Sequence, residues 1–259
     1  MTTTLIMSPH SDLVPRILLA IMLAALPFRS AAEIAILNEI SDRIPDTAGQ
    51  GNPVDLENTP YTVSFDAGVA ADKLIVALSS EGGESATISY DGVSLTPVAN
   101  TATGRNRGIW YLDLAGTGYS GGTADLTFDL TANPAVNGIG FGVVSLSGSA
   151  PGVAAGAVAS GLTVSVDVPG VGGFVVTNHG ANSGTLTAPI GHTPLYSGDI
   201  GSALGAASYA HFVAAGLQTF AYATTSESAN VTSAGVFLPQ NAAPGLIATN
   251  PVDDALNVA

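Results

Sequence analysis

Three histidines in the second half of the chain are the residues best suited to metal chemistry. His179, His192 and His211 lie in the segments TNHGANSG, IGHTPLY and YAHFVA. Three converging imidazoles are a ligand set for zinc or copper. None of the three has a partner at HxH, HxxxH or HxxE spacing, so convergence would depend entirely on the fold. The sequence favours scattered strand and loop histidines, and we predict no metal site and no cofactor.

Four carboxylates are candidates for the acid–base pair that cleaves glycosidic bonds: Glu81, Glu84, Asp113 and Asp129. Glu81 and Glu84 flank a Gly-Gly pair, which indicates a flexible loop, and nothing in the sequence positions them. The glycine-rich segment GTGYSGG, residues 116–122, joins two strand patterns and contains no lysine. It indicates a hairpin loop and not a phosphate-binding loop, which would open a helix. We predict no catalytic residues.

The segment ISYDGVSLTPVA contains an Asp-Gly pair between two runs of β-forming residues. This pattern predicts a type I′ hairpin turn in which Gly92 has positive φ, joining residues 88–90 to residues 93–95. Asp91 is an alternative candidate as a calcium ligand. Because no D-x-D-x-D-G spacing surrounds it, turn formation is the favoured role.

The segment RNRGIWYL contains the only tryptophan of the chain. On a strand, Trp110 and Tyr111 point to opposite faces. We predict that Trp110 enters the core, because it shares a face with small or apolar side chains whereas Tyr111 shares a face with Asp113. The alternative is an exposed aromatic ring beside Arg105, Arg107 and Asp113 that stacks on a sugar.

Composition excludes several classes of function. The 259 residues include 20 acidic and 6 basic side chains, with a net charge of −14, and no cysteine. The scattered basic residues form no patch that could neutralise a nucleic-acid backbone, so nucleic acid is excluded as a partner. Thinly spread acidity indicates a role in solubility, with divalent cations as the alternative. Without cysteine, neither a disulfide framework nor a thiolate site is possible.

The N-terminus predicts the compartment. Residues 17–28, ILLAIMLAALPF, form an apolar run behind Arg16, and SAA at 30–32 supplies the small residues that signal peptidase reads. Twelve residues are too few to span a bilayer but suit a signal peptide, with a buried core helix as the alternative. We predict a signal peptide over 1–32, a secreted or cell-surface protein, and no membrane span in the mature chain.

The mature chain reads as strands in two similar halves. Past residue 60 no segment has a helical apolar period, and KLIVALS, residues 73–79, is a continuous run typical of a strand buried on both faces. After a Gly- and Ala-rich stretch, 148–161, the second half repeats the order of strand types and turns. We predict an all-β domain over 33–240, a two-sheet antiparallel β-sandwich, jelly-roll-like, built from two pseudo-equivalent halves.

Two resemblances follow from these motifs. The order TISYDGVSLTPVA, WYLDLAGTG, LTFDL and GVVSLSG resembles a family of secreted bacterial β-sandwich modules of large surface proteins. ATNPVDDALNVA, 248–259, resembles the opening strand of a bacterial Ig-like module, with Pro251, Asp253 or Asp254, Ala255 and Val258 in place. The resemblances imply that residues 241–259 are a linker and the start of a following module, within a longer protein.

Three functions are compatible with these observations. The leading hypothesis is a structural or adhesive module of a larger extracellular protein, whose partners would be extracellular polysaccharide or other surface modules. The second is a carbohydrate-binding, lectin-like module, by analogy of fold. The third is a polysaccharide-acting enzyme on the same scaffold.

Overall fold

The part of the chain that the structure describes consists of eighteen β-strands and contains no helix. The structure, a computed structural model, describes residues 33–45, 56, 58–81, 86–99, 107–130, 138–201, 203–225 and 231–240. The predicted signal peptide and the predicted linker with its module start lie outside these ranges. Within them, no helix is long and apolar enough to cross a membrane. The strands are β1 (Ala35–Pro45), β2 (Tyr61–Asp66), β3 (Lys73–Glu81), β4 (Thr87–Tyr90), β5 (Val93–Ser94), β6 (Thr96–Ala99), β7 (Arg107–Asp113), β8 (Thr123–Asp129), β9 (Gly138–Ser147), β10 (Ala155–Ser160), β11 (Thr163–Val168), β12 (Gly173–Ala181), β13 (Leu186–Thr187), β14 (Thr193–Asp199), β15 (Leu204–Val213), β16 (Gly216–Ala221), β17 (Ala223–Thr224) and β18 (Val231–Phe237).

Two five-stranded antiparallel sheets form the centre of the fold. Inner sheet 1 has the order β1-β9-β3-β7-β6, and inner sheet 2 has the order β10-β18-β12-β15-β14. Each half of the chain thus builds one inner sheet with its strands in the same arrangement. Outer sheet 1 has the order β2-β8-β4-β5. The second half contributes two short strand pairs, β11-β16 and β13-β17, and these two pairs together are called outer sheets 2.

Strand β3 shows why inner sheet 1 is covered on both faces. Every one of its residues is buried, as its continuous apolar sequence predicts. Leu74, Val76 and Leu78 point to one face and join a first outer core between inner sheet 1 and outer sheet 1. Ile75 and Ala77 point to the other face and join a middle core shared with inner sheet 2.

The three cores alternate with the sheets. The first outer core is rich in large rings, and the second outer core, between inner sheet 2 and outer sheets 2, is built from smaller side chains. The rings of the first outer core are Phe65, Tyr90, Trp110, Phe128 and Phe141. The middle core includes Ile75, Ile109, Val144, Phe174, Val176, Tyr209 and Phe237. The second outer core includes Val164, Val166, Val168, Val175, Phe220, Leu186 and Tyr222.

The Asp-Gly hairpin is confirmed. Asp91 and Gly92 have φ of 50° and 74°, and Tyr90 pairs with Val93 across the turn. Two consecutive residues with positive φ define the type I′ turn, whose twist matches that of the flanking strands. The Leu95 N–H donates to the carbonyl of Ile88 at 2.8 Å, so the ladder extends to the predicted end of the hairpin.

The predicted fold class is confirmed, with a difference in layering. The chain is an antiparallel all-β sandwich of two pseudo-equivalent halves, but each half supplies its own inner and outer layer, so the layers number four. The jelly-roll detail is not confirmed.

The stretch 148–161 also differs from a plain junction, because Ala155–Ser160 forms β10 and pairs with β18. Its alanines pack on the second outer core, and side chains this small leave little hydrophobic pattern in the sequence.

Candidate functional site

The three histidines do not converge. His179 on β12 and His192 before β14 both contact Tyr222 or its hydroxyl-bonded neighbours in the second outer core. His211 on β15 lies on the opposite face of inner sheet 2, where its ring is 4.9 Å from that of Phe174. In the described ranges no group of three or more histidine or carboxylate side chains could hold a metal ion.

The structure does not bring Asp113 and Glu81 together as a pair. Glu84 lies outside the described residues. Asp113 is paired with Lys73 at the start of β3, whereas Glu81 ends that strand. Eight residues of extended strand separate these positions by roughly 26 Å, far beyond the spacing of a glycosidase pair. Asp129 ends β8 in outer sheet 1, opposite Thr87.

The aromatic and basic residues of RNRGIWYL face the interior. Trp110 is 2% exposed and lies in the first outer core, as predicted. Tyr111 is half-buried on the other face, where its ring meets that of Phe237 edge-on at 6.1 Å. Arg107 is buried, and Arg105 lies outside the described residues. The structure therefore assembles no open platform for a sugar from the described members of this segment.

The loop between β7 and β8 contains a match to a serine-hydrolase motif. Gly118–Gly122 reads G-Y-S-G-G and fits the G-x-S-x-G pattern of a serine nucleophile elbow. An elbow lies on a strand-to-helix turn beside a sheet, with the nucleophile held in strain. Here the segment joins β7 to β8, Ser120 is exposed, and the Tyr119 hydroxyl donates to the Gly122 carbonyl at 2.8 Å. The segment is the hairpin loop that its glycines predict.

Lys73 is the central residue of an anchor between the two halves. Its ammonium group is fully buried and donates hydrogen bonds to Asp113 Oδ1 and to the carbonyl of Gly152. The bond to Gly152 measures 2.8 Å, and the ammonium nitrogen lies 5.1 Å from the centre of the Tyr111 ring. Asp113 Oδ2 accepts from the Gly152 N–H at 2.7 Å. Burial lowers the pKa of Lys73, and the hydrogen bond and charge of Asp113 oppose that shift. The anchor fixes the segment that connects β9 to β10.

Asn178 connects the two inner sheets. Its Oδ1 accepts from the Ser79 hydroxyl at 2.9 Å and from the Tyr196 hydroxyl at 3.0 Å. Its Nδ2 donates to the carbonyls of Leu78 and Gly108. All four hydrogen-bonding positions of the amide are thus used, which is what burial of an amide requires.

Arg107 lies beside this amide in the middle layer. Its guanidinium donates to the Ser80 carbonyl. An added methyl group at Gly180 would overlap its Nε and Cδ, so the glycine gives the arginine its space. Here glycine is required by close approach and not by its backbone angles.

A second polar group, called here the imidazole–hydroxyl cluster, lies in the second outer core. Thr177 Oγ1 is 2.9 Å from Ser208 Oγ and 3.0 Å from the Tyr222 hydroxyl. His192 Nδ1 is 3.0 Å from Ser208 Oγ, and the ring of His179 stacks on that of Tyr222 at 5.0 Å. The cluster thus runs from His192 through three hydroxyls to His179.

The cluster includes a serine–histidine pair, but it is built as packing. Ser208 is fully buried, and Nε2 of His192 has no hydrogen-bond partner, so no third group orients the imidazole as a general base. Burial lowers the pKa of His192 to about 4. A neutral imidazole bonded to hydroxyls satisfies a buried polar patch and supplies no accessible nucleophile.

Sequence reasoning missed both polar groups. The signal was present as TNH, residues 177–179, three polar residues in succession on a strand whose neighbours are apolar. On a strand buried on both faces, such residues must find partners on each side. The partners themselves are distant in sequence and become visible only in the fold.

Comparison with protein-family models, with curated proteins and with solved structures found no match to this chain.

Proposed function

We propose that the chain is a structural or adhesive β-sandwich module of a secreted or cell-surface protein, without a catalytic role. The observation that supports the proposal is the use of its polar side chains. Lys73, Arg107 and Asn178 all face the middle layer. Lys73 donates there to the connecting segment, Arg107 to the neighbouring strand β3, and Asn178 across to inner sheet 1. Polar groups of the kinds that an enzyme would present to a substrate act here as internal hydrogen-bonding partners.

The outer surface is consistent with this role. The exposed face of outer sheet 1 carries hydroxyl and carboxylate side chains, and Thr62 and Thr127 are hydrogen-bonded across it at 3.0 Å. The equivalent face in outer sheets 2 has a Ser165–Thr219 pair at 2.9 Å. Cross-strand pairs of this kind stabilise a sheet face that stays in water. Both halves thus present similar hydrated surfaces on opposite sides of the sandwich.

The proposal is tested with the full chain in two measurements. Pulled from both ends in a force spectrometer, a structural module should unfold in one cooperative event, because the connecting segment is anchored to the first half. On a glycan array, with and without calcium, a module that is structural or that adheres to other surface modules should bind no glycan saturably. Saturable glycan binding would favour the lectin-like alternative, and turnover of a polysaccharide would favour an enzyme.

A further inference from the structure

The two halves differ in the chemistry of their outer cores. In the first half, the face of β3 that meets outer sheet 1 carries Leu74, Val76 and Leu78. In the second half, the corresponding face of β12 carries Val175, Thr177 and His179. Residues 33–147 contain no histidine at all. One architecture therefore encloses an apolar core in one half and a titratable core in the other.

The hydrogen-bond pattern fixes the proton on His179. The Thr232 hydroxyl donates its single proton to the Gly161 carbonyl at 2.6 Å. At its 2.7 Å contact with His179 Nδ1, that hydroxyl can only accept, so Nδ1 carries the ring proton. Nε2 is then an unprotonated nitrogen, buried without a partner. Protonation would place an N–H and a positive charge where no acceptor exists.

The groups that face the two rings make this protonation unfavourable. Tyr222 stacks on His179 and shares the hydroxyl of Ser208 with His192, and the charge of Arg107, which packs against Gly180, acts on His179. In the described part of the chain, neither ring has a carboxylate as an electrostatic partner. Burial, and next the charge of Arg107, lowers the pKa of His179 to about 4. Since the unfolded value is near 6.5, the folded state binds fewer protons and loses stability as the pH falls from 6.5 toward 4.

We infer that the imidazole–hydroxyl cluster makes the second outer core an acid-sensitive contact, whose protonation releases outer sheets 2 from inner sheet 2 while the first half stays closed. Outer sheets 2 are the element that moves because each consists of two strands only, and an isolated two-stranded sheet is marginal in water. Their release would hydrate both imidazoles and expose the apolar face of Val164, Val166 and Phe220. This inference does not depend on the proposed function.

Hydrogen exchange of the full chain tests it, read by mass spectrometry at pH 7.5 and pH 4 and corrected for intrinsic exchange rates. Strands β11 and β16 are compared with β2 and β8, their equivalents in the first half. We expect the protection of β11 and β16 to fall at least about tenfold more than that of β2 and β8. A difference of one pKa unit between the folded and unfolded states already corresponds to a tenfold change in the opening equilibrium. Equal losses in both halves, or no loss at pH 4, would overturn the inference.

Variants sharpen the test. Asparagine can place an N–H near the position of Nδ1 without titrating. The double variant His179→Asn, His192→Asn should therefore retain the protection of β11 and β16 at pH 4. His211→Asn, a histidine outside the cluster, is the matched control and should lose protection as the parent does. If the double variant fails to fold, the inference is still tested in the parent chain by comparing the protection of β11 and β16 with that of β2 and β8.

Discussion

Ser79 and Asn178 occupy equivalent positions of the two halves and are hydrogen-bonded to each other, Oγ to Oδ1, at 2.9 Å. Ser79 pairs with Gly140 on β9, and Asn178 pairs with Ser233 on β18, the strand that corresponds to β9 in the second inner sheet. Strands β3 and β12 therefore meet near a pseudo-twofold axis between the inner sheets. At this contact the hydroxyl of one half and the amide of the other complement each other as donor and acceptor.

Replacement of Asn178 by alanine should destabilise the chain strongly. It would take the partner from the Tyr196 hydroxyl and from the side-chain contacts of two carbonyls, and would leave Ser79 only its 3.3 Å bond to the His179 carbonyl. Each unsatisfied buried group costs about 1–3 kcal/mol. We expect a loss of about 3 kcal/mol or more in the free energy of unfolding, measured by urea denaturation. Asn38→Ala is the control, because that exposed amide donates only to the Asp66 carbonyl and should cost less than about 1 kcal/mol. Similar losses for both variants would contradict the role assigned to Asn178.

The Lys73–Asp113 pair should respond unequally to loss of either partner. Asp113→Ala leaves a buried ammonium without its counter-ion, and removing one partner of a buried pair costs about 3–5 kcal/mol. Lys73→Met removes the charge and leaves Asp113, whose side chain is 33% exposed, able to hydrate and to accept from the Gly152 N–H. We expect Asp113→Ala to be the more destabilising of the two by about 1–2 kcal/mol. Thermal unfolding of both variants at pH 7 measures the difference, and the reverse order would contradict it.

Sequence patterns predicted the strands better than the layers. Continuous apolar runs placed β3 and β9, and the Asp91–Gly92 pair placed its turn, because these features depend on local chemistry alone. A strand buried on both faces indicates that something covers each face, but its sequence does not say which sheet does so. The four layers follow from contacts between the halves, such as Leu195 against Gly142, that no local pattern encodes.

The polar groups illustrate a second limit. Ser79 and Asn178 are 99 residues apart, and each is an ordinary residue in its own segment. The sequence marks His179 and His192 as candidate metal ligands, whereas the fold shows that each Nδ1 contacts a hydroxyl. Spacing rules detect sites built on one element, and these groups are built between sheets.

Gly92→Val should test the hairpin through backbone strain alone. No heavy atom lies within 4 Å of an added Cβ at this position, so the substitution causes no clash. The φ of 74° is poorly tolerated by a β-branched residue, and we expect a cost of about 1–2 kcal/mol in a denaturant titration. Gly92→Asn should cost less, because asparagine adopts the left-handed region more readily. An unchanged midpoint for the valine variant would mean that the turn relaxes to another type.

Gly180→Ala should test the packing of Arg107 against inner sheet 2. The new methyl group overlaps the middle of a side chain that is 2% exposed and held at the Ser80 carbonyl, so the arginine has little freedom to move aside. Overpacking of this kind costs about 1–3 kcal/mol. Gly235→Ala is the matched control, since its nearest atom, Cγ1 of Val98, would lie at 3.1 Å and needs to give by only a few tenths of an ångström.

A double-mutant cycle with Arg107→Ala separates overlap from a general loss of stability. If the methyl at position 180 destabilises by displacing the guanidinium, its cost should largely vanish once the arginine is gone. Contacting residues of this kind give coupling of about 0.5–3 kcal/mol, whereas independent sites add within about 0.5 kcal/mol. Urea denaturation of the parent chain, the two single variants and the double variant supplies the four free energies of unfolding. Additive costs would show that Gly180 is needed for another reason than the space it leaves for Arg107.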